Sequence, residues 1–321
     1  MPLVSVVIPT KNRPALVARA VATVLEQTMT DLEVIVVIDG HDPETVARLE
    51  MIADERLRLQ VNAASLGAGG ARNAGAGVAT GDWIAFLDDD DEWLPSKLER
   101  QLALQRPAGG RVLISCQSAY ITPQGTSVRP REIYDRQMPF DEWLFDRRRL
   151  FGGHSFIQTS SLLLPRALFR EFGFPDHSHH EDWEFVLLAL KRFGAELLTV
   201  PEVLVRHYAE QEGTSLSQVG RLAGSLAWVA GLHGLISKRA FSGFCLTVVA
   251  HQARRYGGWR EFLTLLKLAF RHGRPTPVQL LVFLTVWGMP RRLHLALRRL
   301  RPSAPVSARP PGMAAPGRPV P

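Results

Sequence analysis

A 321-residue chain with 46% hydrophobic and 21% charged residues can close a sizeable core, which excludes a disordered or low-complexity protein. Its net charge of +7 is unevenly placed: residues 1–212 hold 22 Lys/Arg against 30 Asp/Glu, and residues 213–321 hold 16 against a single acid, Glu261. The two parts therefore face different partners.

The first run, Val4–Ile8, is β-branched and ends at Pro9, which predicts a buried parallel strand. It has neither the basic leader nor the cleavage site of a signal peptide, so none is expected. Cys116 and Cys245 form no metal spacing and no disulfide framework, in keeping with a reducing cytosol. Thr10-Lys11-Asn12-Arg13-Pro14 reads as a loop, with Pro14 in the first turn of a helix. Leu16, Ala20, Val24 and Leu25 carry that helix to about residue 27. Leu32–Ile38 predicts a second strand closed by Asp39-Gly40, followed by a helix over Pro43–Ala53 and a strand over Leu57–Val61. This alternation predicts a parallel sheet with helices on both faces. Ligands of such sheets bind beyond the carboxyl ends of the strands, where Thr10, Asp39 and Asp88 lie.

The glycine-rich run Ser65–Asn73 opens a helix predicted over Ala71–Ala79. It lacks the Gly-Lys-Ser/Thr of a Walker loop and does not follow the first strand, as a dinucleotide fingerprint would. A tight turn with small-residue helix packing accounts for it. Arg72, at the start of that helix, is placed to neutralise a diphosphate. Trp83–Leu87 predicts a short buried strand, and Asp88-Asp89-Asp90-Asp91 follow at its end. Adjacent aspartates repel one another and need screening by solvent or a cation. Their oxygens suit Mg²⁺ or Mn²⁺, which share phosphate oxygens with a substrate. The bland alternative is an acidic loop that stays wet.

Val4–Arg13, Val37-Ile38-Asp39-Gly40, Ala71-Arg72-Asn73 and Phe86–Asp91 resemble, in order and spacing, the motifs of family 2 glycosyltransferases. The resemblance covers about residues 3–210. It implies an α/β fold of the GT-A type, a Rossmann-like mixed sheet flanked by helices. It also implies an enzyme that uses a nucleotide-diphosphate sugar and inverts the anomeric centre. By the same resemblance Asp39 would hold the base, and Pro9, Thr10, Asn12, Arg13, Arg72, Asp88 and Asp89 would line the donor pocket. Asp88 and Asp90 match the DXD positions, with Asp90 the direct ligand of Mn²⁺ or Mg²⁺. Ile38 stands where the family often has a second aspartate, and His41 where serine is common. A UDP-sugar is the expected donor.

A helix is predicted over Ser96–Gln105 and a strand over Arg111–Cys116. Residues 121–150 read as irregular and charged, with Arg147-Arg148-Arg149 a solvated face. Gln158–Pro165 reads as a strand, followed by a short helix and a turn at Gly173-Phe174-Pro175. His177, His179 and His180 invite a zinc reading, but no i, i+4 pair with a matching downstream ligand appears. In the family, Glu-Asp just before an amphipathic helix supplies the catalytic base. Glu181-Asp182, followed by Phe185, Val186, Leu188 and Ala189, fits that pattern. A carboxylate must take the acceptor hydroxyl's proton; Asp182 is the choice and Glu181 the second. Both also suit a helix N-terminus through its dipole. Leu197–Val200 and Pro201–Tyr208 close the family-like region; by the resemblance His207 would stand near the metal or diphosphate, though as a lone histidine it reads as a strand-end residue.

From about Gly213 the chain is helical and basic, with Trp228, Leu232, Leu235 and Ile236 on one helix and Trp259–Phe270 forming another. Val278–Met289 is apolar but too short to span a bilayer, which takes about 20 residues. Arg291, Arg292, Arg298, Arg299 and Arg301 suggest helices against an anionic inner leaflet, the competing account being a helical subdomain packed on the catalytic domain or on a partner. Three parts are expected: a GT-A catalytic domain over 1–212, a basic α-helical C-terminal extension over 213–301, and a disordered Pro/Ala/Gly-rich tail over 302–321. The expected enzyme is an inverting, metal-dependent glycosyltransferase of the cytoplasmic membrane face, acting on a saccharide or lipid-linked acceptor. A nucleotidyltransferase would want glycines in the loop after the first strand, and Thr10–Pro14 has none. A nucleic-acid partner is not expected, because no aromatic–basic recognition pattern appears.

Overall fold

The computed structural model describes residues 2–105, 110–150, 155–176, 180–208, 221–232, 234–256 and 258–288. Strands β1 (Val4–Thr10), β2 (Leu32–Ile38), β3 (Leu57–Val61) and β4 (Trp83–Phe86) pair in parallel in the order β3-β2-β1-β4. Every residue of β1, β2 and β4 is buried, as expected of strands covered on both faces. β1 runs through Pro9 instead of stopping there. The Leu87 N–H donates to Val7 O and the Asp39 N–H to Thr10 O, so alternation turns Pro9 toward β4, past its last pair. No ladder bond is lost at that position.

Beyond β4 the sheet becomes mixed. β8 (Leu163–Pro165) is antiparallel between β4 and β6 (Val112–Thr122), and β9 (Glu196–Tyr208) joins β6 to β5 (Glu92–Trp93). β9 is one strand, not two. The register steps from Cys116–Val200 to Gln117–Val203, which leaves Pro201-Glu202 as a bulge where proline is tolerated. Two other expectations are corrected. Gln158–Ser161 forms a tight 3-10 turn, leaving only Leu163–Pro165 as strand. Residues 121–150 are not irregular: β7 (Gly125–Arg129) forms a hairpin on β6, and α5 (Phe140–Phe145) is packed into the core.

Helices α1 (Pro14–Leu25), α2 (Pro43–Glu50) and α4 (Lys97–Leu102) cover one face, around Val6, Ile8, Val21 and Leu98. The other face packs on α3 (Gly67–Val78), α5, α6 (Arg166–Phe169) and α7 (Glu181–Lys191). That second core continues without a break into α8 (Arg221–Gly231), α9 (Lys238–Gly243), α10 (Ala250–Tyr256), α11 (Trp259–His272) and α12 (Pro277–Gly288). The charge boundary near residue 212 is therefore crossed by a shared core, from Phe86 in β4 to Phe283 in α12. A π-helical segment, Phe244–Val249, links α9 to α10. A Cβ at Gly243 would collide with the Phe145 carbonyl, so this glycine lets the helix touch α5 backbone to backbone. The five arginines from Arg291 to Arg301 and the tail lie outside the described residues.

At the opposite end of the sheet from the acidic run, Glu33 is buried and accepts from Ser5 Oγ (2.6 Å), the Thr80 N–H and Oγ1 (2.7 Å each) and Arg58 Nη1 (2.9 Å). Burial alone would raise its pKa, but these bonds hold it at about 2, below the usual 4.5. A depressed carboxylate adds stability above its unfolded pKa that is lost as pH falls through the folded one. Glu33→Gln should cost up to about 3 kcal/mol at pH 7. Urea titrations of wild type and variant should converge as the pH is lowered from 4.5 toward 2.

Candidate active site

β1 ends in Thr10, β2 leads to Asp39, β4 leads to Asp88–Asp91, and α7 opens with Glu181-Asp182. These ends lie along one edge of the sheet. Thr10 Oγ1 donates to Asp89 Oδ2 at 2.7 Å. Arg13 Nη1 donates to Asp89 Oδ1 at 2.9 Å and reaches Asp90 Oδ2 at 3.3 Å. Arg19, which the sequence reading missed, donates to the Asp90 carbonyl at 3.1 Å and pairs with Glu92 at 3.0 Å. The loop after β1 is thus laced to the aspartates. Pro9 is buried within β1, whereas Asn12 is exposed in the left-handed region at φ 54°, with its N–H on Asp42 Oδ2 at 2.6 Å.

Asp39 stands apart from this set. Its Oδ1 accepts from Asn62 Nδ2 (3.0 Å) and the Leu66 N–H (2.8 Å), and its Oδ2 from Ser65 Oγ (2.7 Å) and the Gly67 N–H (3.0 Å). Burial would raise its pKa, yet these four donors hold it below the ordinary carboxylate range. It pins the glycine-rich segment to the end of β2.

That segment is helix and not loop. α3 begins at Gly67, so Arg72 lies in its second turn and not at its start. A Cβ at Gly75 would press into Val7 and Val37, so the glycine lets α3 settle on β1 and β2 and brings Arg72 into the site. Arg72 is 5% exposed and lies over the Phe174 ring at 5.1 Å. Its Nη2 donates to Asp88 Oδ1 at 2.5 Å and its Nη1 to Glu181 Oε1 at 3.3 Å. One guanidinium therefore joins the acidic run to the carboxylate pair on α7.

The four aspartates have different environments. Asp90 is raised to about 7, first by burial and then by Asp88, Asp91 and Asp89, with Arg13 opposing. Asp88 remains partly exposed and its N–H donates to Ser160 Oγ at 3.0 Å. Asp91 is fully buried, where it accepts from Gln158 Nε2, Ser160 Oγ (2.6 Å) and His207 Nδ1 (2.9 Å). Burial would lower the His207 pKa, but Asp91, with Asp88 and Asp90 nearby, carries it above its ordinary value. Tyr120 and Phe156 pack on its ring at 5.3 and 5.9 Å. His207 is therefore more than a strand-end residue. Nothing local announces its bond to a partner 116 residues away.

Asp182 is part-exposed at the mouth of the cleft but surrounded by protein mass. Burial first, then Glu181, raises it to about 7 against the Trp183 N–H and Arg72. Just before it, His180 adopts φ 56° and sits in an aromatic box. Its ring stacks on Trp183 at 4.8 Å and meets Trp228 at 4.7 Å and Phe244 at 5.4 Å, and its Nε2 lies 2.9 Å from Ser225 Oγ. Trp228 Nε1 donates to Glu184 Oε2 at 2.7 Å. Helices from the basic part of the chain thus hold the start of α7, which sequence periodicity could not reveal. His177 and His179 lie outside the described residues, among which no three His, Cys, Asp or Glu converge as a metal cluster.

A sequence model of "Glycosyl transferase family 2" matches residues 5–173. The chain is 28% identical over 245 residues to the amylovoran biosynthesis glycosyltransferase AmsB of Erwinia amylovora, covering 73% of this chain and 79% of that one. It is 28% identical over 189 residues to the UDP-Glc:alpha-D-GlcNAc-diphosphoundecaprenol beta-1,3-glucosyltransferase WfgD of Escherichia coli, covering 59% and 70%. Among solved structures, it resembles mannosyltransferase PcManGT of Pyrobaculum calidifontis in complex with GDP-Man and Mn²⁺. The TM-score is 0.55 at 17% identity, over 93% of this chain and 87% of that one.

Proposed function

Since the chain belongs to glycosyl transferase family 2 and has the GT-A fold, we propose that it moves a sugar from a nucleotide-diphosphate donor, a UDP-sugar, to a hydroxyl of a lipid-linked or polysaccharide acceptor by a single inverting displacement. The observation that carries this reading is the Arg72 bridge, which sets Asp88 and Glu181 on one guanidinium. It brings the donor side and the acceptor side of a displacement within one cleft. The relatives named for polysaccharide biosynthesis and for a diphosphoundecaprenol acceptor support the acceptor class.

Asp182, with Glu181 beside it, takes the acceptor hydroxyl's proton as that oxygen attacks the anomeric carbon; a pKa near 7 suits a base at neutral pH. Arg72 stays charged and faces the departing diphosphate, while Thr10 and Arg13 fix Asp89 and so the shape of the acidic loop. Pro9, Asn12 and Asp39 complete the donor side; Asp39 must exchange one of its four bonds to meet a base. The residues fit a divalent cation, because Asp90 is crowded by three carboxylates, with Arg13 and the His207 ring as the opposing charges. Asp88 and Asp90 would hold it, as hard oxygen ligands suited to Mn²⁺ or Mg²⁺. When bound, such an ion would supply positive charge against the negative charge that develops on the leaving diphosphate. The basic residues 213–301 support a working position at the inner face of the cytoplasmic membrane, and no nucleic-acid partner belongs to this reading.

The test is hydrolysis of a panel of nucleotide sugars with Mn²⁺, repeated in EDTA and with Asp90→Ala. The variant should keep its fold and lose about a hundredfold or more in turnover. Full turnover in EDTA would remove the metal from this reading.

A further inference from the structure

The α11–α12 hairpin carries apolar surface that the core does not use. On α11, Leu265 and Ala269 face inward. Trp259, Leu263 and Phe270 line up on an adjoining stripe and are 76%, 61% and 58% exposed. Arg260, Lys267 and Arg271 form an exposed cationic stripe beside it. None of the three forms an ion pair with a described carboxylate. Glu261 directs its own carboxylate to the Gly258 N–H at 2.6 Å. α12 repeats the pattern, with Val282 and Phe283 buried and Leu281 and Leu284 49% and 55% exposed. Phe262 stacks on Phe283 at 4.8 Å and meets Trp287 edge-on at 5.5 Å, so the two helices that carry these exposed residues pack on one another.

Large apolar side chains gathered on one exposed face mark a docking surface, and charge decides what docks. From residue 213 onward, 16 cations stand against one acid. An apolar ridge edged by arginine and lysine suits the headgroup layer of anionic lipid. Among the described residues no helix is long and apolar enough to cross a membrane, so the hairpin would lie on the surface. We propose that α11 and α12 dock the enzyme flat on an anionic bilayer. Trp259, Leu263, Phe270, Leu281 and Leu284 enter the headgroup–acyl boundary, and Arg260, Lys267 and Arg271 meet lipid phosphates. This rests on the membrane-face reading above and names the surface that serves it.

The test is sedimentation of the full-length chain with phosphatidylcholine vesicles, with and without phosphatidylglycerol. Wild type should pellet with the anionic vesicles, less so as salt rises. Leu263→Ser/Phe270→Ser/Leu284→Ser should weaken binding by about a hundredfold. Arg260→Gln/Lys267→Gln/Arg271→Gln should lower the preference for anionic lipid and flatten its salt dependence. Each altered side chain is exposed, so melting temperatures should match wild type; Leu284→Ser alone, with a smaller loss, serves should the triple variant aggregate. Nucleotide-sugar hydrolysis without vesicles reads the catalytic assignment separately and should be unchanged in both variants. If hydrolysis is absent from wild type while pelleting behaves as expected, the transferase mechanism fails and the docking surface stands. Undiminished pelleting of the apolar variant overturns the proposal and shifts attention to Arg291–Arg301. A lipid-free dimer that the same variant dissolves also overturns it, assigning the face to a second copy.

Discussion

Asp182→Asn turns over about 10²–10⁴-fold more slowly than wild type, with little change in donor KM. Asparagine keeps the shape and a hydrogen-bonding oxygen but cannot take a proton. Because burial and Glu181 raise the Asp182 pKa to about 7, wild-type kcat/KM should climb with pH through that value and level off above it. The variant's residual rate should lack that limb. A carboxylate whose folded pKa is raised destabilises the fold progressively between its unfolded and folded values. The asparagine enzyme should therefore melt higher than wild type at pH 8, with the gap closing toward pH 4. An unchanged rate with an unchanged pH profile would move the proton acceptor to Glu181 or elsewhere.

Trp228→Ala removes a buried ring from the box around His180 and leaves Glu184 without its indole donor. The loss should be about 3–5 kcal/mol, the usual cost of deleting a large aromatic from a packed core. Phe145, Trp183 and Phe244 all lose a neighbour, at centroid distances of 6.2, 6.3 and 5.1 Å. Folded enzyme that survives should show reduced kcat at near-normal donor affinity, because the change loosens α7 ahead of Asp182 and leaves Arg13 and Asp88–Asp90 alone. Denaturant titration and steady-state kinetics check the two halves. Trp228→Phe, which keeps a ring and loses the N–H, should fall between. A variant as stable and active as wild type would show that α8 does not steady the base.

The parallel strands β1 to β4 and the acidic run were legible in the sequence because their signals are local. β2 and β3 have the expected bounds, since the apolar run Val34–Ile38 closed by Asp39-Gly40 marks the first and the alternation of Leu57, Leu59 and Val61 with polar residues marks the second. α3 was placed too late, because the glycines look like a loop until Val7 and Val37 are seen to need Gly75. α5 was hidden by its charge. Asp141 is fully buried there, matched by Lys191 Nζ at 2.6 Å and the Ser237 N–H at 2.7 Å, partners 50 and 96 residues away. Asp91 was grouped with its neighbours for the same reason. Only the fold shows that it turns inward to His207 and Gln158 while Asp88 and Asp90 stay part-exposed.

The core that runs from Phe86 to Phe283 limits how such a chain can be recombined. A chimera spliced at the charge boundary would pair Trp183 and Phe145 with foreign counterparts of Trp228 and Phe244, and mismatched rings would tilt Asp182, the proposed proton acceptor. Grafts intended to alter the acceptor should instead carry α5, α7 and the helices after residue 220 as one inherited block, leaving β1 to β4 to the host.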